Sequence, residues 1–372
     1  MTDDIPEPDR LLGAPHPRET SSVLGHGEAE QVFLDAFSSG RMHHAWLITG
    51  PRGIGKATLA WRLARFLLIQ PVEEEDGLFG APPAPATLDI ASDHPVARRV
   101  AALSEPRLHL LRRPYDPKTK KLKQDITVDA TRKLKGFFGL SAADGGRRVV
   151  LVDAADELNA NAANAILKLL EEPPDNAVLL LVAHQPSRLL PTIRSRCRTL
   201  RLRPLNAAGL SDALAQAGAE PVEGPSAPGL AALAEGSVGA AWALIEHEGL
   251  AFYGGLLQLL TRAPGIDRPE AIALAATSGD LFEERLHLIE TFLARLARTG
   301  VHGPPDPEAA PGEAALLARL APNPAAARRW AALLQDQSNR ARHGRAVNLD
   351  PSALLLDTLL AIDRAAHSPV PA

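Results

Sequence analysis

The chain has 372 residues, 45% of them hydrophobic, and this length predicts two or three domains with a substantial core. Its formal net charge of -4 provides no overall attraction for nucleic acid, so contact with nucleic acid would need a local basic patch. A single cysteine, Cys197, excludes an intramolecular disulfide framework and a multi-cysteine zinc site, and favours the reducing cytoplasm. No apolar run approaches the ~18 residues that cross a bilayer, so we expect no membrane anchor.

The first elements indicate an α/β domain that begins near Val23. Residues 1–22 are polar and rich in proline, which predicts a flexible N-terminal lead. A helix is predicted over 28–38, and the apolar residues 45–48 predict a strand. The segment 50–56, Gly-Pro-Arg-Gly-Ile-Gly-Lys, follows this strand and precedes an amphipathic stretch. This is the strand, loop and helix context of a phosphate-binding loop.

The loop residues have the properties that phosphate binding requires. Gly50, Gly53 and Gly55 let backbone N–H groups converge on phosphate oxygens, and Lys56 adds positive charge at the start of a helix. The next position, where Ser or Thr normally contacts Mg²⁺, is Ala57. Thr58 comes one residue later, and that shift rotates a side chain by ~100° around the helix. We therefore predict a nucleotide site that binds metal poorly. The alternative is a glycine-rich turn without a ligand.

The next region is less regular and more basic. Residues 71–87 contain an acidic run and several prolines, which predict a surface excursion, and a helix is predicted to begin with Asp129 as its cap. Four lysines lie between 118 and 123. They could contact a nucleic-acid backbone, but a solvated hairpin is the favoured interpretation. His43 and His44 lack a third ligand at metal-like spacing, so no metal site is expected there.

Two further apolar runs, 149–152 and 178–182, are typical of parallel strands buried on both faces. An amphipathic helix over 161–172 lies between them, and a last strand is predicted over 199–202. This alternation predicts a doubly wound parallel sheet. Asp153 follows the first of these strands, where such sheets place acidic groups beside a ligand, although a helix cap is the alternative. The following residue, Ala154, cannot act as a base.

Arginines surround the cysteine just before the last predicted strand. Residues 194–198 have the sequence Arg-Ser-Arg-Cys-Arg. Such a segment either forms a solvated basic loop or supplies a guanidinium to a phosphoryl group held by a neighbouring subunit. Cys197 has no nearby histidine in sequence, so a nucleophilic role is not expected.

After Pro204 every segment is predicted to be helical. We expect a nucleotide-binding-like domain over 23–204, a small helical domain over 205–249 and a helical bundle over 250–372. Within the bundle, apolar residues repeat at three- and four-residue spacing. The predicted bundle helices are 281–297, 314–320, 325–341 and 351–361.

Several of these motifs together resemble the AAA+ clamp-loader subunits of bacterial DNA polymerase III. The resemblance rests on His-His-Ala-Trp-Leu at 43–47 before the loop, on Asn-Ala-Ala-Asn-Ala-Ile-Leu-Lys-Leu-Leu-Glu-Glu-Pro-Pro at 161–174, and on Ser-Arg-Cys at 195–197. It is strongest between Val23 and Pro204. The missing hydroxyl after Lys56 and the missing Glu after Asp153 resemble delta prime subunits more than the gamma/tau motor subunits.

The resemblance implies an α/β AAA+ domain, a helical lid and an all-α collar that joins subunits in a ring. It implies that Arg196 is an arginine finger acting in trans, and that the chain's own site is vestigial. Gamma/tau and delta would be its partners, with the sliding clamp and primed DNA reached through the complex. Gly239 stands where motor subunits place a second phosphate-sensing Arg. Many relatives have four zinc-binding cysteines that this chain lacks, so no zinc is expected.

Three functions remain open from the sequence. The favoured one is a delta prime-like clamp-loader subunit without its own ATPase activity. The alternatives are an autonomous ATPase or motor subunit whose turnover depends on Lys56, and an adaptor that holds ATP or ADP only to stabilise its fold. Because Lys56 is present, nucleotide binding by the isolated chain is left open.

Overall fold

A five-stranded parallel sheet organises the first part of the chain. The computed structural model describes residues 6–11, 13–72, 85–139, 146–222, 224, 226–276 and 281–367. The sheet order is β2-β5-β6-β1-β7, and every neighbouring pair is parallel. The strands, including two of a separate hairpin, are β1 Ala45–Thr49, β2 Leu108–Arg112, β3 Tyr115–Asp116, β4 Lys121–Leu122, β5 Arg148–Asp153, β6 Ala177–Ala183 and β7 Arg198–Arg201.

Helices cover both faces of this sheet, which confirms the predicted fold class. On β5, Val149 and Leu151 join one apolar cluster, whereas Val150 and Val152 join the other. This follows from the alternation of side chains along a strand. The first cluster includes residues from α1, α2 and α3, and the second includes residues from α4, α5 and α6. The helices are α1 Gly27–Ser38, α2 Lys56–Ile69, α3 Pro95–Ala101, α4 Val128–Gly139, α5 Ala160–Glu171, α6 Pro191–Ser195 and α7 Ala207–Gln216.

Local signals explain most helix boundaries. The Asn159 side chain accepts a hydrogen bond from the Ala162 N–H and so caps α5, which ends before Pro173 because proline cannot continue the helix. The predicted cap of α4 was wrong. That helix begins at Val128, and Asp129 lies in its first turn, where it pairs with Arg132.

The lysine-rich segment forms the predicted hairpin. β3 and β4 pair antiparallel, with Tyr115 opposite Leu122, and the four lysines between 118 and 123 are exposed. The predicted excursion over 71–87 falls mostly on residues 73–84, which lie outside the described residues. Helix α3 follows it.

Residues 6–11 and 13–22 contain groups with specific partners, although the composition of this segment predicts a flexible lead. Buried Arg65 donates to the carbonyl groups of Arg18 and Thr20, at 2.6 Å each. Arg62 donates to the Ser21 carbonyl. The composition could not indicate these contacts because the arginines lie more than 40 residues away along the chain.

Chain contacts divide the molecule between Ala219 and Glu220, and the second unit contains only helices among its described residues. Its core includes Phe282, Phe292, Leu317 and Trp330, and the Trp330 indole N–H donates to the Leu320 carbonyl at 2.8 Å. The lid and collar boundaries stay predictions. The helices are α8 Ser226–Ala234, α9 Val238–Glu246, α10 Gly249–Thr261, α11 Arg268–Ala275, α12 Phe282–His302, α13 Glu313–Leu320, α14 Pro324–Ala346 and α15 Pro351–Ala366.

The bundle helices are found where apolar spacing predicts them, but three of them extend farther at the carboxyl end. Helix α12 continues to His302 rather than ending at residue 297, and α14 and α15 continue to Ala346 and Ala366. Their last turns are more polar, so the apolar repeat fades before the helix ends. None of the helices in the described ranges has the length and hydrophobicity needed to span a membrane.

Candidate functional site

The segment 50–56 forms a loop between β1 and the start of α2. Gly50, Gly53 and Gly55 have φ angles of 148°, 75° and 97°. A side chain at Gly50 would also lie 2.7 Å from the Leu202 carbonyl oxygen. Only glycine adopts such a backbone path without strain. The loop therefore keeps its backbone N–H groups accessible at the N-terminus of α2, which fits a phosphate group.

Lys56, the first residue of α2, points into the protein. It is buried, and its Nζ donates to the Pro51 carbonyl within the loop. Burial lowers the pKa of Lys56 to about 8, although the nearby Asp153 and Asp156 act in the opposite direction. Lys56 is therefore mostly protonated at neutral pH and loses its charge in mildly alkaline solution. A phosphate ligand would have to compete with the Pro51 carbonyl for its ammonium group.

The start of α2 offers no hydroxyl at the usual metal-binding position. Ala57 occupies that position, and Thr58 follows it, half-buried, within the same helical turn. The loop thus fits phosphate oxygens better than it fits a hydrated Mg²⁺. No group of three or more His, Cys, Asp or Glu side chains suited to a metal ion occurs among the described residues.

Asp153 ends β5 at the same edge of the sheet as the loop. Its side chain is buried, and its Oδ2 atom accepts no hydrogen bond within the described part of the chain. Burial and the nearby carboxylates of Asp9 and Glu157, acting against Lys56 and Arg112, raise the pKa of Asp153 to about 7. The next residue, Ala154, is buried and apolar. Strand β5 therefore ends in a carboxyl group, and the next side chain cannot act as a general base.

The raised pKa of Asp153 predicts a pH-dependent effect of Asp153→Asn. The folded-state pKa lies near 7 and the ordinary value is 3.8. Between these pH values Asp153 is ionised in the unfolded chain but protonated in the folded one, so its destabilisation of the folded state grows with pH and reaches its full size above pH 7. Asp153→Asn should raise the free energy of unfolding at pH 8 by on the order of a few kcal/mol. The gain should shrink at pH 5. Urea unfolding of the unmodified chain and of Asp153→Asn at both pH values measures the difference in the free energy of unfolding.

An exposed carboxyl group provides the control for that experiment. Asp129 lies in α4 with its side chain 80% exposed, so Asp129→Asn should change stability little at either pH. An equal gain from Asp153→Asn at pH 5 and pH 8 would contradict the assigned pKa.

Sequence reasoning missed Glu157 and its two arginine partners. Glu157 forms ion pairs with Arg113, at 2.9 Å, and with Arg52 of the loop, at 3.7 Å. It lies in the turn after β5, and Arg113 follows β2. Both positions are at the carboxyl edge of the sheet, and the rule that ligands bind at this edge could have indicated them.

His184 and Asp156 also belong to this edge. Asp156 accepts hydrogen bonds from the backbone N–H groups of His184 and Gln185, each at 3.0 Å. Burial lowers the pKa of His184 to about 4, and the positive charge of Lys56 lowers it further, so its ring is neutral at pH 7. Its Nδ1 atom is buried without a hydrogen-bond partner among the described residues. His184 directly follows β6, and this position after a buried strand is the feature of the sequence that could have indicated it.

Arg196 lies at the opposite edge of the sheet. It lies two residues before β7, whose first residue, Arg198, is paired with Trp46 near the start of β1. The loop follows the other end of β1, five residues away, and a strand rises ~3.3 Å per residue. The structure therefore does not bring Arg196 together with Lys56 and Asp153. It separates the guanidinium from the chain's own phosphate loop by roughly the length of a strand.

The Arg196 guanidinium is partly exposed and has two local partners. Its Nη2 lies 3.0 Å from the Glu171 carboxylate at the end of α5, and its Nη1 donates to the Thr192 carbonyl at 3.2 Å. The side chains of Arg196 and Glu171 are 37% and 50% exposed, so this pair stabilises the fold by at most ~1 kcal/mol. A phosphate group from outside could replace Glu171 at low cost.

The remaining candidates have local structural partners. Burial raises the pKa of Cys197 to about 12, so its thiol stays protonated and is a poor nucleophile. The rings of His43 and His44 stack at 4.5 Å, and they hydrogen-bond to the backbone oxygens of Ala45 and Leu170. Gly239 lies in the first turn of α9, where it has no side chain to offer a ligand.

Comparison with known proteins agrees with this geometry. Residues 25–206 match the family described as DNA polymerase III, delta subunit. The DNA polymerase III subunit delta' of Pseudomonas aeruginosa is 42% identical over 41% of this chain and 41% of the relative, and that of Bacillus subtilis is 29% identical over 51% of each. The DNA polymerase III subunit tau of Escherichia coli is 30% identical over 51% of this chain and 26% of the relative.

These matches span about half the length of the relatives or less, and the family match covers the part of the chain that contains the parallel sheet. They confirm the resemblance drawn from the sequence motifs. Residues 25–206 are thus similar in sequence to the DNA polymerase III delta prime subunits.

Proposed function

We propose that this chain is a delta prime-like subunit of a bacterial DNA polymerase III clamp loader. It acts in the cytoplasm with gamma/tau and delta subunits, and the assembled complex loads the sliding clamp on primed DNA. Its own contribution is Arg196, which reaches the nucleotide held by an adjacent motor subunit. The observation that carries this proposal is the position of Arg196, exposed and at the opposite edge of the sheet from the chain's own loop.

The chain's own site supports a role without hydrolysis. Ala154 replaces the carboxylate that would orient an attacking water, and Ala57 replaces the hydroxyl that would bind Mg²⁺. Any ATP or ADP would be held by the loop backbone and Lys56 and would stay intact. A subunit of this kind transmits its neighbours' nucleotide state without a turnover of its own.

A motor-type function is the first alternative, since part of the chain is similar to a tau subunit. It requires a base beside Asp153. The nearest carboxylates along the chain, Asp156 and Glu157, are bound to backbone N–H groups and to two arginines. Neither is available to activate water without breaking those contacts.

The second alternative is an adaptor in which Arg196 is structural, and the ion pair with Glu171 favours it. The strength of the pair argues against it. Because both side chains are partly solvated, the pair is too weak to account for a structural requirement for arginine. The finger and adaptor functions predict different rates of ATP hydrolysis at the neighbouring subunit.

An ATPase measurement before and after mixing tests the proposal. The purified chain should show no steady ATP hydrolysis, and Lys56→Ala should leave that background unchanged. Addition of gamma/tau and delta subunits should give ATPase activity that primed DNA stimulates. Steady turnover by the isolated chain that disappears in Lys56→Ala would instead identify a motor subunit.

A further inference from the structure

Residues 7–11 and 13–21 form an N-terminal strap against the middle of α2. Arg65 and Arg62 of α2 hold the carbonyl groups of Arg18, Thr20 and Ser21. The Arg18 side chain also donates through Nε to the carbonyl of Ala101, the last residue of α3, at 3.1 Å. The strap is thus attached to elements that pack on one face of the sheet.

One end of the strap leads to the phosphate loop, and the other lies beside Asp153. At the carboxyl end, the chain continues through Val23, which lies against Gly55, to His26, whose Nε2 donates to the Ile54 carbonyl at 2.6 Å. At the amino end, Asp9 lies near enough to Asp153 to affect its ionisation. The strap therefore connects the loop with the surroundings of Asp153.

Four charged side chains fasten the amino end. Arg112, the last residue of β2, donates to Asp9 and to Glu7, at 2.7 Å each. Glu7 also accepts two hydrogen bonds from Arg18, each at 2.9 Å. We call Glu7, Asp9, Arg18 and Arg112 the latch. Because Arg112 is paired with Asp153 in the strand register, the latch closes directly beside the candidate site.

The ring of His16 lies against the carboxylates of the latch. Its Nδ1 accepts the Arg18 backbone N–H at 3.0 Å, so the ring proton is on Nε2. That Nε2 faces the carboxylates of Glu7 and Asp9, at 3.2 and 3.4 Å. The ring is buried and packs edge-on against Trp61 of α2. The latch is therefore held by side-chain packing as well as by charge.

A closed latch withholds a cation from the edge of the sheet where a nucleotide would place its phosphates. Arg112, which is paired with Asp153 in the strand register, is neutralised by Asp9 and Glu7 when the latch is closed. The phosphates of a nucleotide are anionic and would be attracted to a free Arg112. The carboxylates and the phosphates thus compete for the same guanidinium, so each state disfavours the other.

We propose that the closed latch holds the N-terminal strap in an autoinhibitory position that weakens nucleotide binding at the phosphate loop. Nucleotide binding in turn opens the latch. By thermodynamic reciprocity, the factor by which a closed latch weakens the binding of nucleotide equals the factor by which nucleotide weakens closure. The proposal concerns the chain's own loop. It therefore does not depend on Arg196 acting in trans.

Neutral isosteres of the latch carboxylates test this with a matched control. The double variant Glu7→Gln/Asp9→Asn should bind MgADP ~5- to 20-fold more tightly than the unmodified chain, in the range typical of coupled sites. Glu19→Gln removes an exposed carboxylate of the same strap and should leave the affinity unchanged. Titration calorimetry on the full chain measures all three. Equal affinity in the double variant, or no binding by any of the three, overturns the proposal.

A second measurement uses the unmodified chain and is decisive if the double variant does not fold. Amide hydrogen exchange is followed over residues 7–21 without nucleotide and with millimolar MgADP. Exchange at the amino end of the strap should become at least several-fold faster with nucleotide, whereas the core strands β1 and β6 should be unaffected. Unchanged or slower exchange in the strap overturns the proposal. ATPase stimulation on mixing with partner subunits is a separate measurement. The latch proposal and the clamp-loader proposal can therefore fail independently of each other.

Discussion

Replacement of Arg196 by alanine should lower ATP hydrolysis at the adjacent motor site of the assembled complex by ~10³-fold or more, the usual effect of removing an arginine finger. The guanidinium supplies a fixed, planar positive charge that alanine lacks. Single-turnover hydrolysis in a complex with only that motor site intact is the measurement. Folding of the chain itself should be almost unchanged, because the pair with Glu171 is partly exposed and contributes at most ~1 kcal/mol.

Two further variants separate the chemistry from bulk charge. Arg196→Lys keeps the positive charge but not the bidentate fork, so it should restore only a small part of the rate. Arg194→Ala removes an exposed arginine from the same segment and should have little effect. Normal DNA-stimulated hydrolysis with Arg196→Ala would show that the adaptor interpretation is correct.

The sequence predicts the sheet and the loop because their signals are local. Continuous apolar runs of four to seven residues mark strands buried on both faces, and β5 and β6 lie within one residue of the predicted limits. The loop is indicated by three glycines and a lysine at fixed spacing. At Gly50, Gly53 and Gly55 the structure shows left-handed or other glycine-dependent conformations, the physical property that the motif encodes.

The charged surroundings of the loop could not be predicted in the same way, since they join distant parts of the chain. Arg112 meets Glu7 across 105 residues and Asp9 across 103 residues. Nothing in a polar, proline-rich lead indicates which cation it will meet. Glu157 and His184 are intermediate cases. Their positions just after buried strands predict a place at the ligand-binding edge, but not their partners.

Arg196 shows how much the strand topology adds to a motif. The residues around it are compatible with a solvated loop or with a finger, and spacing alone does not distinguish them. In the structure, the parallel pairing of β1 and β7 places Arg196 and the chain's own loop at opposite ends of β1. A role in cis is thereby excluded by geometry. That is why the proposal depends on a neighbouring subunit.

In the helical unit, Glu313→Ala should cause the largest loss of stability. Glu313 is fully buried at the start of α13, and it accepts hydrogen bonds from the Tyr253 hydroxyl at 2.6 Å and from Arg295 at 2.6 and 2.8 Å. The Ala309 N–H donates to it at 2.6 Å. Burial, together with Glu313, raises the pKa of Tyr253, so the phenol remains a donor at neutral pH.

Removing this carboxylate leaves the buried Arg295 without its partner, a change that typically costs ~3–5 kcal/mol. For a unit of this size, each kcal/mol shifts the melting temperature by about 2–4 °C, so the transition of the helical unit should fall by roughly 10 °C. Differential scanning calorimetry of the full chain measures it. Glu235→Ala is the matched control, because Glu235 forms an exposed pair with Arg298, one turn along α12 from Arg295, and its loss should cost under ~1 kcal/mol. Equal shifts in the two variants would show that burial of the Glu313 network contributes no more than a solvated ion pair.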